Sequence, residues 1–245
     1  MATEQKKSIS CWKWFVYIVL ALVIIGLFFF GRQIYLYYRA IRSGTANPIF
    51  EQALDSSFSS MIANKHVSAS DLLALTNKGA PTLGKKNAPL SVVEFVDFDC
   101  PYTRKSAPSV RSVMQKYADR VSFQVRDFPV TDVHPRALEK ALAARCAHSQ
   151  GRYWSYHDVL FANQDKDTDA DLEAFASQAG LDVAAFRTCY ASQSGKTSIQ
   201  QDLKDGLQVG VEGTPTFFFN GIKIQGALDE ATFTLIIDQF LKQKK

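Results

Sequence analysis

The sequence predicts an α/β domain with an all-helical insertion, preceded by one N-terminal transmembrane helix. Three observations carry this. An uncharged apolar run, WFVYIVLALVIIGLFFF, occupies Trp14 to Phe30. A strand-like segment, LSVVEFVDF, runs straight into Cys100-Pro101. A long helical block is followed by two apolar segments around Asn220-Gly221, the strongest short hairpin signal in the chain.

The apolar run continues past Arg32 in aromatic and aliphatic residues up to Tyr38. A helix of about 20 such residues covers a bilayer core, and Trp12, Trp14, Tyr35, Tyr37 and Tyr38 supply interfacial aromatics at both ends. A cleaved signal peptide would carry a shorter apolar region and a small-residue cleavage site, whereas this run ends in Phe28-Phe29-Phe30-Gly31-Arg32. The reading is an anchor over residues 14–38, after a short segment 1–13, that places a single-pass protein in the cell membrane. Lys6, Lys7 and Lys13 on one side balance Arg32, Arg39 and Arg42 on the other, so charge does not set the orientation. Cys11, at the membrane edge, is assigned no role.

Residues 39–81 read as a spacer. Phe50, Leu54, Phe58 and Met61 recur at helical spacing, and a second short helix over Asp71 to Asn77 stops at Lys78-Gly79-Ala80-Pro81. The main domain is placed at 82–245. Leu90 to Phe98 is nearly continuous in apolar character, as in a central strand covered on both faces. Pro101 opens a helix whose apolar face is Val110, Val113, Met114 and Tyr117, and Pro108 is expected to kink it. Val121 to Val125 alternates as a strand. The insertion spans about 135–207, with Gly151, Gly180 and Gly195 as interruptions. Thr216 to Phe219 and Lys223 to Gln225 form the hairpin, and an amphipathic helix over Asp229 to Leu241 closes the domain.

The 245 residues, 47% hydrophobic and 21% charged, can bury a real core. A net charge of +4, with no long basic run and no basic-aromatic stripe, argues against a nucleic-acid partner. The four cysteines, Cys11, Cys100, Cys146 and Cys189, are too dispersed for a small disulfide scaffold. No metal-type Cys/His spacing occurs, and nothing in the pattern calls for a cofactor. His134 and His157 read as structural, Tyr153, Trp154 and Tyr156 as helix packing or a substrate-facing surface.

A cysteine at a strand end, just before a helix, faces that helix's free N–H groups and positive dipole end, which lowers a thiol's pKa and favours the nucleophilic thiolate. Arg104 and Lys105 would add positive charge. Standing alone, Cys100 would more often be an inert core residue. It does not stand alone. FVDFDCPYTRKSAP followed by GVEGTPTFFFNG resembles the active-site and cis-proline segments of DsbA-like thioredoxin-fold proteins, a family of thiol-disulfide oxidoreductases and disulfide isomerases. The stretch RDFPVTDVHPRALEKALAARCAHSQGRYWSYHDVLF resembles that family's helical insertion, so the resemblance covers about Pro81 to Leu241. Strand, helix and strand, then helices, then hairpin and helix is the order of a thioredoxin fold.

The resemblance makes Cys100 the nucleophile, Pro101-Tyr102 the dipeptide of the redox turn, and Thr214-Pro215 the cis-proline loop beside it, where an extended substrate would lie. The expected partners are extracytoplasmic proteins or peptides with cysteines. Thr103 departs from the pattern, standing where the family has its second, resolving cysteine. A single thiol forms a mixed disulfide that an outside thiol or redox partner must release. The Thr103 hydroxyl could donate to the Cys100 thiolate, or could be a neutral replacement at a dead site.

Cys146 and Cys189 are two unpaired core cysteines, a structural disulfide, or the source of a distant resolving thiol for Cys100. The resemblance, to proteins of oxidising compartments, favours the disulfide. Glu94 interrupts the first strand and resembles the family's buried acid there, a candidate proton relay; the alternative is a carboxylate satisfied locally. Asp97 and Asp99 read as solvated strand-end charges. The function expected is membrane-anchored, monothiol disulfide exchange, and the alternative is a redox-inactive peptide-binding or chaperone module.

Overall fold

The computed structural model describes residues 5–42, 67, 75 and 79–242. The chain divides into two compact units, Met1–Met61 and Ile62–Lys245. In the first, α1 (Gln5–Arg42) is one continuous helix. Its stretch Lys13–Tyr35 is long and apolar enough to cross a membrane, by length and composition. At ~1.5 Å per residue it exceeds the ~30 Å of a bilayer core, and large apolar side chains from Trp14 to Tyr35 are exposed. The spacer helices expected over residues 49–64 and 71–77 lie outside the described residues, apart from Leu75.

The second unit is built on five strands: β1 (Thr82–Gly84), β2 (Leu90–Val96), β3 (Val121–Asp127), β4 (Thr216–Phe219) and β5 (Ile222–Gln225), ordered β1-β3-β2-β4-β5. β2 and β3 pair in parallel, and the other pairs are antiparallel. The parallel pair requires a crossover, which α2 (Pro101–Lys116) supplies. Glu94 sits in the middle strand, in register with Val125 on one side and Phe217 on the other.

β2 stops at Val96, two residues before the expected end, because Asp97 turns the chain: its Oδ1 accepts the Asp99 N–H at 2.7 Å. α2 runs as one helix through Pro108. At the hairpin, Asn220 and Gly221 take φ of 48° and 87°, the left-handed pair that a two-residue Asn-Gly turn uses. β1 is the strand the sequence reading omitted. It pairs with β3 through Thr82, Leu83 and Gly84.

Between β3 and β4 come α3 (Ala137–Ser149), α4 (Tyr153–Ala162), α5 (Asp169–Gln178), α6 (Val183–Ala191) and α7 (Lys196–Gln208). α8 (Glu230–Lys242) follows the hairpin. One face of the sheet buries Val93, Phe95 and Phe218 with Phe128, Val209, Val211 and Leu75. Leu75 in that core, and the Val67 N–H on the Gly221 carbonyl at 3.2 Å, show that packing of this unit begins upstream of Thr82. α7 approaches the same face so closely that a Cβ on Gly206 would lie 2.8 Å from the Phe128 ring. A disulfide, Cys146–Cys189, joins α3 to α6.

A buried ionic cluster ties the insertion to β3. Arg126 donates to Asp202 at 2.6 Å and to Asp205 at 2.5 Å, and Arg145 pairs with both Asp127 and Asp202. Asp202 Oδ2 also accepts the Asp127 N–H at 3.1 Å. Burial raises Asp127 to about 6, although the Arg145 and Arg126 charges pull it down.

Candidate active site

Cys100 is the N-cap of α2, held extended at φ −70° and ψ 122°, with Pro101 as the first helical residue. Proline suits that place because its missing N–H would have no helical partner. β2 ends at the same edge of the sheet where β4 begins, and Thr214-Pro215, the residues just before β4, are joined by a cis peptide bond. The two segments meet: the Cys100 thiol donates to the Thr214 carbonyl at 3.1 Å. Cys100 is 5% exposed and carries a free thiol, while Tyr102 beside it is 65% exposed. Cys146 and Cys189, bonded to each other, offer no thiol to resolve an adduct at Cys100.

Thr103 does not serve the thiol. Its side chain is fully buried, and Oγ1 has no hydrogen-bond partner among the described residues. Helix geometry explains the departure from expectation. Residue 103 falls on the inward face of α2 with Ser106, Ala107 and Val110, whereas the N-cap side chain at 100 turns to the Thr214 carbonyl.

Asp97 and Asp99, expected as solvated charges, are instead structural anchors of the loop. Asp97 is buried; its Oδ2 accepts the Val130 N–H at 2.8 Å and lies 2.9 Å from His134 Nδ1. Asp99 pairs with Lys140 of α3, which is 1% exposed and also donates to the Gln164 carbonyl at 2.7 Å. The Gln164 side-chain amide then donates to the carbonyls of Phe98 at 2.9 Å and Cys100 at 3.0 Å. The helical insertion thus grips the backbone on both sides of residue 99. The sequence reading missed Lys140 and Gln164. The available signal was a lysine in helical register with Ala137 and Ala144 on an alanine-rich face.

Glu94 is 2% exposed, and burial alone pushes its carboxyl up to about 8, so the acid is protonated at neutral pH. It lies in the strand leading to Cys100 and makes no hydrogen bond to the thiol. Nearby, Tyr153 is buried with its hydroxyl unpartnered among the described residues, and burial raises its pKa. His157 is buried against Asp158, with Nδ1 at 2.8 Å from Oδ1, and burial lowers its pKa. Tyr153 and Tyr156 are core residues rather than surface. No group of three or more His, Cys, Asp or Glu fit to hold a metal occurs among the described residues.

The profile of a family described as thioredoxin matches residues 76–239. Among curated proteins, a segment of the Na(+)/H(+) antiporter NhaA 3 of Salinispora tropica is 40% identical over 158 residues, 64% of this chain and 24% of that protein. The chain spans about a quarter of the length of such relatives. Among solved structures, a thioredoxin-like oxidoreductase from Silicibacter pomeroyi superposes with TM-score 0.63 at 24% identity, covering 72% of this chain and 99% of that one. The thiol-disulfide exchange protein alpha-DsbA2 of Wolbachia pipientis superposes with TM-score 0.64 at 18% identity, covering 76% and 97%. The chain belongs to the thioredoxin family, with the fold of its DsbA-like members.

Proposed function

We propose that this protein is a membrane-anchored thiol-disulfide exchange protein that attacks disulfides of extracytoplasmic proteins through Cys100 alone. The observation that carries the reading is the free Cys100 thiol at the start of α2, 3.1 Å from the carbonyl that precedes Pro215. The solved structures of similar fold include proteins described as thiol-disulfide exchange and thioredoxin-like oxidoreductase proteins, which supports it.

In the proposed reaction the Cys100 thiolate attacks one sulfur of a client disulfide. One S–S bond forms, one breaks, and the electron pair leaves on the client's other sulfur. An extended client segment lies along the Thr214-Pro215 backbone, and exposed Tyr102 borders it. With Thr103 in place of a second cysteine, release falls to the client's own thiol, an external small thiol, or a redox partner protein. The client thiol gives isomerisation and the external thiol gives reduction. Glu94 is proposed to pass its proton to the leaving thiolate through water. Lys13–Tyr35 of α1 is proposed as an uncleaved anchor that keeps the domain on the extracytoplasmic face of the membrane, and no nucleic acid is involved.

Thr103 also favours a second reading, a redox-inactive module that binds peptides in the same groove. Thiol-blocked, non-reducing electrophoresis of cells expressing the full chain separates the two. Mixed disulfides that vanish on Cys100→Ser support exchange; client binding that survives Cys100→Ser, with no mixed disulfides, supports the module.

A further inference from the structure

Beside the redox turn, α2 and α4 enclose an open groove of about 400 Å³, walled by Arg104, Pro108 and Arg111 on one side and by His157, Asp158 and Phe161 on the other. The volume is in the small-molecule range. The α2 wall is one helical stripe, since residues 104, 108 and 111 succeed one another at spacings of four and three just beyond the N-cap Cys100. Arg104 is one turn, roughly 6 Å, along the axis from Cys100.

Its charge is unbalanced. Arg111 is spent on Asp158, with Nε at 3.1 Å from Oδ1, and lies over the Trp154 ring at 4.9 Å. His157 is buried and held towards its neutral form. Arg104 is exposed and makes no ion pair among the described residues. The groove therefore presents an apolar floor of Ala107 and Phe161 with one available guanidinium at the end nearest the thiol.

We propose that this groove binds a low-molecular-mass thiol carrying a carboxylate, and that this is the external thiol that frees a client from Cys100. Two linked residues extend by at most about 7 Å, so a thiol and a carboxylate that far apart can reach the mixed disulfide and Arg104 together. The inference rests on the proposed reaction at Cys100. The bound thiolate attacks the client sulfur of the Cys100–client disulfide. A new S–S bond joins donor and client, the old bond breaks, and its electron pair leaves on Cys100, so no further oxidant or reductant enters the step.

The test uses the full chain in detergent, reduced glutathione, and glutathione diethyl ester, whose carboxylates are masked. Release of a peptide from Cys100 is timed with each thiol and normalised to its rate on a free small disulfide. Glutathione is expected to act roughly tenfold faster than the ester, the factor one charge-assisted contact supplies. Arg104→Ala should bring the ratio close to one. Calorimetry with S-methylglutathione, which cannot react, reads the groove separately: binding should be lost in Arg104→Ala and in Ala162→Trp, which obstructs an exposed wall. Equal normalised rates for the two thiols, a ratio unmoved by Arg104→Ala, or no binding of S-methylglutathione would overturn the proposal. So would displacement of S-methylglutathione by a thiol-free acidic client peptide that binds more tightly. Failure of Cys100 to form any adduct rejects the reaction itself, and with it the donor role, while the binding arm still decides whether the groove takes the ligand.

Discussion

Replacing Glu94 by Gln removes one titrating group from the centre of the sheet, and the consequence for stability is set by its burial. The folded state holds the Glu94 proton up to about pH 8, whereas an ordinary carboxyl releases it near 4.5. Between those values the folded form binds more protons than the unfolded chain. The stability contributed by the neutral acid is therefore fully present below about pH 4.5 and is lost as pH rises through 8. At ~1.36 kcal/mol per unit the loss reaches about 3 kcal/mol at pH 7 and about 5 kcal/mol at pH 8 and above. Asp127, raised to about 6, adds to the slope at lower pH, and His157, with its pKa lowered, opposes it. The difference between wild type and Glu94→Gln isolates the Glu94 contribution. Urea unfolding at intervals from pH 4.5 to 8.5, disulfide intact, should show the Gln variant gaining on wild type steadily as pH rises. Parallel curves across that range would refute the reasoning, because they would mean that the carboxyl ionises without penalty in the fold.

Thr103→Val removes a buried hydroxyl that has no partner among the described residues and keeps the side-chain shape, so it should stabilise the domain by ~1 kcal/mol in the same denaturant assay; a loss of stability would show that the hydroxyl is satisfied. Removing the Cys146–Cys189 disulfide by paired Cys→Ala changes, which frees a chain loop with sequence separation 43, should cost up to about 4 kcal/mol, readable as a lower thermal midpoint. Asp202→Ala removes the carboxylate shared by Arg126 and Arg145, while Asp205 and Asp127 stay on them, and should cost ~1–3 kcal/mol in the same assay through the buried donors left unpaired.

The central strand, the redox turn, the Asn220-Gly221 hairpin and the helical block were legible in the sequence because each has a local signature: continuous β-branched character, proline at a helix start, a turn dipeptide, 3.6-residue periodicity. β1 was not, since Thr82–Gly84 is too short to establish an alternating pattern and exists through its pairing with β3. The site was half legible. Cys100 and Thr214-Pro215 stand out from local context, but the grip on the loop between them comes from Lys140 and Gln164, 41 and 64 residues beyond the groups they hold. Asp97 and Asp99 looked solvated for the same reason, as their partners lie in distant segments. Thr103 misled as well: one turn from Cys100 in sequence, its hydroxyl is buried in the helix's inward face and makes no hydrogen bond to the thiol.

Cys100 is proposed to capture a disulfide from which it cannot free itself. Incubating the reduced-site protein, its Cys146–Cys189 bond intact, with a peptide disulfide and reading intact mass over time tests this directly. A peptide adduct mapped to Cys100 should accumulate and persist until an outside thiol is added, and Cys100→Ser should carry none at that position. Absence of the adduct in wild type, or its release without added thiol, would contradict the proposal.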